Sequence, residues 1–482
     1  MCQTSVGTVG SEYWTRSHQM QARACAVVAL IGLLTGCLES ARVLSQAPKD
    51  VKPVVFDDGL ENVLPGRLQR SVAPGPSVPV LEPSVRTVYS EEYWEALAVL
   101  DVVTLRKAAR SDEEIGLAEG MARLMGGDPA GAENFFVAMT RQAIDLNVAV
   151  AAQIMLATTL LYEHKWTALR DLSAASTLTA MDRGNTSELE QWGHAFAGVD
   201  EQTTIAPDKP TSLPLVLTPM GTPAVQVRIN GRDYEFWLDS GSSMTVVSST
   251  VASEASIPFV SADTLRIRTF EGTAPVKAAI VRKLEIGQIA FTNTPAIVMD
   301  AALMRLKSTR EGVTGRGVSV DGIIGWDIIR QFDIVMDYGA RTISFKKPEH
   351  LGIIGTEFQN LTWAGKPLVQ VRTKPGGTFQ FTLDTGAQVT LLNGSILDKL
   401  GMVATAYGGR VFGIAKTGGQ TKRVVPSLTL NVGGSSVHLE SILVYGPAYS
   451  GLINCDGILG SDVAQLGKIR IDATNGLFSL YE

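Results

Sequence analysis

The sequence predicts a multidomain chain: a helical N-terminal domain followed by an all-β, bilobal region built from two copies of one unit. Three observations carry this. Apolar residues recur at helical spacing across residues 90–200. After residue 210 that period gives way to short alternating runs such as Val225-Gln226-Val227-Arg228-Ile229, with frequent glycine. One pattern also occurs twice: Phe236-Trp237-Leu238-Asp239-Ser240-Gly241 is echoed by Phe381-Thr382-Leu383-Asp384-Thr385-Gly386.

Residues 1–36 read as a signal peptide. Arg23 precedes the 11-residue apolar run 24–34, too short for the roughly 20 residues that span a bilayer but suited to a signal h-region. Residues 1–19 look unlike an n-region, which makes Met20 the alternative start. Leu34-Thr35-Gly36-Cys37 resembles a bacterial lipobox, which implies cleavage before Cys37 and its lipidation; an ordinary signal peptide is the alternative. Leu38 stands where an Asp would signal inner-membrane retention, so the expected location is periplasm-facing, on the outer membrane. Residues 37–89 contain seven prolines between Pro48 and Pro83 and read as an extended tether. Of the four cysteines, Cys2 and Cys25 leave with the signal peptide and Cys37 is acylated. Cys455 then remains alone, so the β region must be stable without a disulfide.

In the helical domain, 90–200, Trp94, Leu97, Ala98, Val102 and Leu105 mark one face of a helix from Glu91 to Arg110. Asp128-Pro129 places an N-cap and a first-turn proline at the start of another helix. Segments 130–145, 147–162 and 165–173 follow. The pattern faintly resembles tetratricopeptide repeats, with a plain helical bundle as the alternative. Recruitment of a protein partner is the role expected of this domain. His164 and His194 lack metal-ligand spacing and read as surface residues. Residues 201–213, with Pro207 and Pro210, read as a linker.

The duplication extends beyond the Asp. Pro223-Ala224-Val225-Gln226-Val227-Arg228 matches Pro367-Leu368-Val369-Gln370-Val371-Arg372, and Thr245-Val246-Val247 matches Thr390-Leu391-Leu392. Asp321-Gly322-Ile323-Ile324-Gly325 matches Asp456-Gly457-Ile458-Leu459-Gly460, and each half closes on one more pair of strands. Matched landmarks in one order define an internal repeat. The units run 214–346 and, with their connection, 347–482. Asn230-Gly231 marks a hairpin.

A lone Asp-Ser-Gly or Asp-Thr-Gly is usually a turn. Two copies, each ending an apolar strand, are a candidate aspartate pair. Leu383-Asp384-Thr385-Gly386-Ala387 resembles the active-site signature of the retropepsin and pepsin clan of aspartic peptidases, and Asp239-Ser240-Gly241 is its serine variant. Ile323-Ile324-Gly325-Trp326-Asp327 is similar to the bacterial retropepsin-like form. The resemblance covers residues 214–482 and implies an all-β bilobal acid-protease fold of two retropepsin-like units. It implies Asp239 and Asp384 as catalytic residues sharing one proton and activating a water to cleave extended peptides. Ser240 and Thr385 would brace the two loops, while Gly241 and Gly386 let the backbone turn tightly. Flap tips are expected at Phe270 and Gly272 and at Phe412 and Gly413, each a glycine beside an aromatic.

The short connection between the units favours pairing within one chain, hence a monomer. The alternative function is a catalytically silent peptide-binding or scaffold lipoprotein using the same cleft and the helical domain. A net charge of −6 offers no basic footprint for nucleic acid. Five histidines without His-Glu-x-x-His give no zinc-peptidase motif, so no metal or cofactor is expected. No Gly-x-Ser-x-Gly elbow or phosphate-binding loop is present.

Overall fold

The computed structural model describes residues 91–172, 186–218, 221–261, 264–269, 272–306, 318–351, 359–373, 377–407, 422–445, 452–464 and 467–481. The signal peptide, Cys37 and the tether lie outside them. None of the described helices is long and apolar enough to cross a membrane.

The helical region carries its stop and start signals locally. The helix expected from Glu91 to Arg110 is two, Glu91–Ala98 and Val102–Ala108. Leu100 adopts a positive φ of 59°, and Asp101 starts the second helix by accepting from Thr104 N at 3.0 Å. Helical periodicity survives such a break, so apolar spacing alone could not reveal it. Ser111 and Glu114 form a reciprocal capping box on Asp112–Met125. Asp128 caps Pro129–Gln142 from the position expected, with Pro129 in the first turn. The helix Leu146–Tyr162 buries fourteen of its 17 residues, on all sides, which makes it the centre of the domain. His164 is not a plain surface residue: it is half-buried, stacked on Trp166 at 5.0 Å, and burial depresses its pKa to about 3.

The two β units repeat one topology. In the first, the strand order is Ile289–Met299, Thr245–Ser248, Gly322–Ile324, Arg232–Leu238, Pro223–Ile229, Gly272–Ile286, Leu265–Thr269. In the second it is Ser435–Tyr445, Leu391–Asn393, Gly457–Leu459, Gly377–Leu383, Pro367–Thr373, Lys422–Val432, Thr405–Tyr407. Pairing of Gly272–Ile286 with Ile289–Met299, and of Lys422–Val432 with Ser435–Tyr445, closes each sheet into a barrel. Closure removes exposed strand edges. Asn230 and Gly231 both take positive φ, 49° and 88°, as the predicted tight hairpin requires.

Residues 201–213 are not a free linker. Thr203–Ile205 pairs with the strand Ile289–Met299, and Thr211–Pro214 pairs with Thr342–Lys346. Prolines flank these pairings rather than interrupt them, which is why proline content misread the segment. The second strand belongs to a five-stranded sheet that both lobes build. At its centre Asp333–Asp337 of the first lobe pairs with Lys468–Asp472 of the second, antiparallel and in register. Arg470 forks onto Asp333 at 2.7 and 2.8 Å across that seam.

The helical domain packs on both lobes. Trp363 of the second lobe stacks on Trp326 of the first, with ring centroids 6.3 Å apart. Tyr162 lies 5.4 Å from Trp363, and the Arg330 guanidinium sits 4.2 Å over the Tyr162 ring. Trp363 Nε1 donates to Thr158 O at 3.2 Å. Gln380 Nε2 donates to Val99 O at 3.0 Å, and Asn454 N to Ala98 O at 2.7 Å. Trp363 is only 6% exposed, so truncating it opens a cavity at the three-way junction. Trp363→Ala is expected to lower the unfolding free energy by about 3–5 kcal/mol, read by urea denaturation. An unchanged midpoint would show that the junction does not hold the parts together.

Candidate active site

Each candidate aspartate ends a strand inside a barrel and is held there by the same partner. Arg232–Leu238 runs parallel to Gly322–Ile324, and Gly377–Leu383 runs parallel to Gly457–Leu459. The ladder ends identically: Asp239 N donates to Ile324 O and Asp384 N to Leu459 O, both at 3.1 Å. The next residue, Gly325 or Gly460, lies directly against the active-site loop. A Cβ on Gly325 would stand 2.4 Å from the Met244 carbonyl, and one on Gly460 2.6 Å from that of Val389. This contact gives the repeated apolar-apolar-Gly motif its glycine.

The loops meet through their hydroxyl residues. Ser240 N donates to Thr385 Oγ1 at 3.0 Å and Thr385 N to Ser240 Oγ at 3.1 Å. Ser240 Oγ donates to Leu383 O at 2.8 Å, and Thr385 Oγ1 to Leu238 O at 2.7 Å. Each hydroxyl therefore accepts from the other loop's backbone and donates to the other lobe's strand. All four bonds are buried, where an unmade partner would be costly. The bracing expected of Ser240 and Thr385 has this geometry. Thr222, just ahead of the first lobe's barrel, adds a bond to Gly386 O at 3.4 Å.

This exchange sets the two carboxyls side by side. Gly241 lies against Asp384, and Gly386 against Asp239. Cβ atoms there would fall 2.7 and 2.5 Å from the opposite carboxyl carbons. The glycines serve close approach across the interface and also sit in tight turns, closed by Ser242 N to Asp239 O and by Ala387 N to Asp384 O, both at 3.2 Å, without a positive φ. Gly241 N donates to Asp239 Oδ1 at 2.9 Å, and Ala387 N to Asp384 Oδ1 at 2.8 Å. Asp239 is 0% exposed and Asp384 4%. Burial raises both pKa values above the ordinary carboxylate range. For Asp384 the neighbouring Asp239 charge and the hydrogen bond between the carboxyls push further the same way. For Asp239 that shared bond and backbone donors from Gly241, Ser242 and Gly386 oppose the rise. Two such close carboxyls titrate as one unit, and ionising both is costly.

The other predicted positions divide. Gly272 begins the strand Gly272–Ile286, paired with Thr269 of Leu265–Thr269, so the first flap candidate sits on an antiparallel hairpin. Phe270, Phe412 and Gly413 lie outside the described residues, as does Cys37. Cys455 is buried at 1%, with its Sγ 3.2 Å from Thr382 Oγ1. Two carboxylates went unassigned in the sequence, Asp327 and Asp462. Each lies two residues beyond the glycine of the repeated motif, and alignment of the two copies would have exposed the match.

Residues 225–328 match the model of the aspartyl protease family. The match spans Asp239 and the Ile323-Ile324-Gly325 landmark. Among solved structures, the chain is similar to the crystal structure of a retropepsin-like aspartic protease from Rickettsia conorii. The identity is 10% and the TM-score 0.19, covering 30% of this chain and 94% of that one. No curated protein matches. The matched segment lies in the first of the two β units, and the second repeats its strand topology.

Thr385→Val keeps the shape but leaves Ser240 N without its acceptor in a buried site. A loss of about 1–3 kcal/mol in unfolding free energy is expected. Calorimetry or urea titration reads it, and a neutral result would remove the hydroxyl exchange as a stabilising contact.

Proposed function

We propose that this chain is an aspartic endopeptidase in which a water held between Asp239 and Asp384 attacks the carbonyl of an extended peptide. The observation that supports this reading most is the buried carboxyl pair at the meeting of two equivalent lobes, each against the other loop's glycine. In this reading Asp239 is the general base; each carboxyl accepts one loop N–H, from Gly241 and from Ala387. Asp384 keeps its proton and hydrogen-bonds the peptide carbonyl, while Asp239 takes a proton from the attacking water and passes it to the leaving nitrogen as the C–N bond breaks, which returns the pair to its singly protonated state. The substrate's main chain would pair with the barrel hairpins in extended form, the first of them bearing Gly272. One chain supplies both aspartates, so the working unit in this reading is a monomer.

The lipobox-like Leu34-Thr35-Gly36-Cys37 supports a periplasm-facing, lipid-anchored setting, with the substrate a periplasmic or envelope protein. Labelled palmitate should enter the wild type and not Cys37→Ser; equal labelling would remove the anchor from this proposal.

The direct test is cleavage of peptides by purified protein. Asp239→Asn and Asp384→Asn are each expected to lower kcat by roughly 10²–10⁴-fold. Cleavage at the wild-type rate by either variant would sink the dyad. The pH dependence follows from the direction of the shifts. Both folded pKa values lie above the unfolded value, so the pair's stabilising contribution is present in acid and lost as pH rises. Activity needs the singly protonated pair. It should therefore fall on the alkaline side as the second proton leaves, and on the acid side as both carboxyls protonate. A kcat/KM profile flat across both limbs would contradict the shared proton.

A further inference from the structure

Beneath the aspartate pair the fold repeats a second pair of carboxylates that the chemistry above does not use. We propose that Asp327 and Asp462 are positioning residues, holding the two active-site loops through the hydroxyls of Thr245 and Thr390. The inference rests on the peptidase reading but stands on separate geometry.

In both lobes the partner threonine lies six residues beyond the aspartate of the pair, at the far end of its loop. Thr245 Oγ1 donates to Asp327 Oδ1 at 3.1 Å. Thr390 Oγ1 donates to Asp462 Oδ1 at 2.7 Å, and Thr390 N to Asp462 Oδ2 at 2.8 Å. The Thr390 hydroxyl also accepts from Gly460 N at 3.1 Å. Carboxylate, loop and apolar-apolar-Gly strand are thereby joined in one chain of bonds. On the other flank of each loop, Trp326 N donates to Ser242 O at 2.6 Å, and Ser461 N to Ala387 O at 2.8 Å. Each loop is tied at its start by the Ser240–Thr385 exchange and at its end by a carboxylate.

A carboxylate is an expensive residue to put there. Asp327 is 2% exposed and Thr245 0%, and Asp327 Oδ2 receives no donor among the described groups. An apolar pair would stabilise such a site as well or better. What the carboxylate adds is a directional hold on the loop. Burial lifts the Asp327 pKa to about 7 and that of Asp462 to about 6. The charged group facing Asp327 is Arg330, itself over Tyr162 of the helical domain. Facing Asp462 is the buried Tyr338 phenol. Both pKa values are raised, so each carboxyl contributes its stability in acid and loses it as pH rises through about 6 to 7.

The test uses the full chain with Asp327→Ala, Asp462→Ala and the corresponding Asn variants, which keep an acceptor oxygen. The Ala variants should lose about 10²-fold in kcat with KM within twofold, as a small displacement of a reacting group requires. The Asn variants should recover most of that loss, and their stability should decline less steeply through pH 6–7 than that of the wild type. Wild-type kcat in both Ala variants overturns the proposal, as does a fall in KM affinity with kcat intact. If the Ala variants do not fold, Thr245→Ser against Thr245→Val gives the same split, Ser active and Val impaired. Equal rates in that pair overturn the proposal too. If the wild type cleaves no peptide, the dyad reading fails and the loop geometry is read by amide hydrogen exchange. Faster exchange confined to residues 240–246 and 385–391 in the Ala variants then upholds the positioning role, and unchanged exchange removes it.

Discussion

Ser240 and Thr385 exchange backbone and hydroxyl hydrogen bonds across the lobe interface, and the position of both aspartates depends on that exchange. A hydroxyl suits the task because it donates and accepts at once. It can close the backbone N–H of the opposite loop and still bond a carbonyl of the opposite strand. The exchange also requires glycine next door: a Cβ at Gly241 or Gly386 would fall on the opposite carboxyl. The tripeptide is thus one device, with acid, brace and gap in consecutive positions.

Bringing two carboxyls together in a dry site is unfavourable, and the rest of the fold supplies the restraint. A five-stranded sheet built from both lobes fixes their relative register, with Arg470 neutralising Asp333 at the seam. The helical domain adds a second restraint from outside. Trp326 comes from the first lobe and Trp363 from the second, and Tyr162 together with Thr158 covers them. A domain bonded in this way to both lobes takes part in the architecture of the β region.

The electrostatics follow from the same closure. Desolvation is the largest influence on each member of the dyad and on Asp327 and Asp462. The duplicated sequence makes the halves nearly equivalent, and each carboxyl accepts one N–H from its own loop.

By itself the sequence determined the repeat, the strands that carry Asp239 and Asp384, the hairpin at Asn230-Gly231 and the capped helix at Asp128-Pro129. These are local properties: apolar alternation, turn chemistry and capping are written in adjacent residues. The order of matched landmarks also carried the equivalence of the two lobes. Only the tertiary structure decided the rest. Residues 201–213 became strands because distant segments, Ile289–Met299 and Thr342–Lys346, offered them partners. Gly241 and Gly386 took their meaning from a carboxyl about 145 residues away rather than from their own dihedral angles, a distance the Ser240–Thr385 bonds span. Asp327 and Asp462 stood in the repeat all along, but nothing in a linear pattern says which threonine a buried carboxylate will meet. That choice belongs to the packing, because hydrogen bonds in a core are assigned by which strands lie side by side.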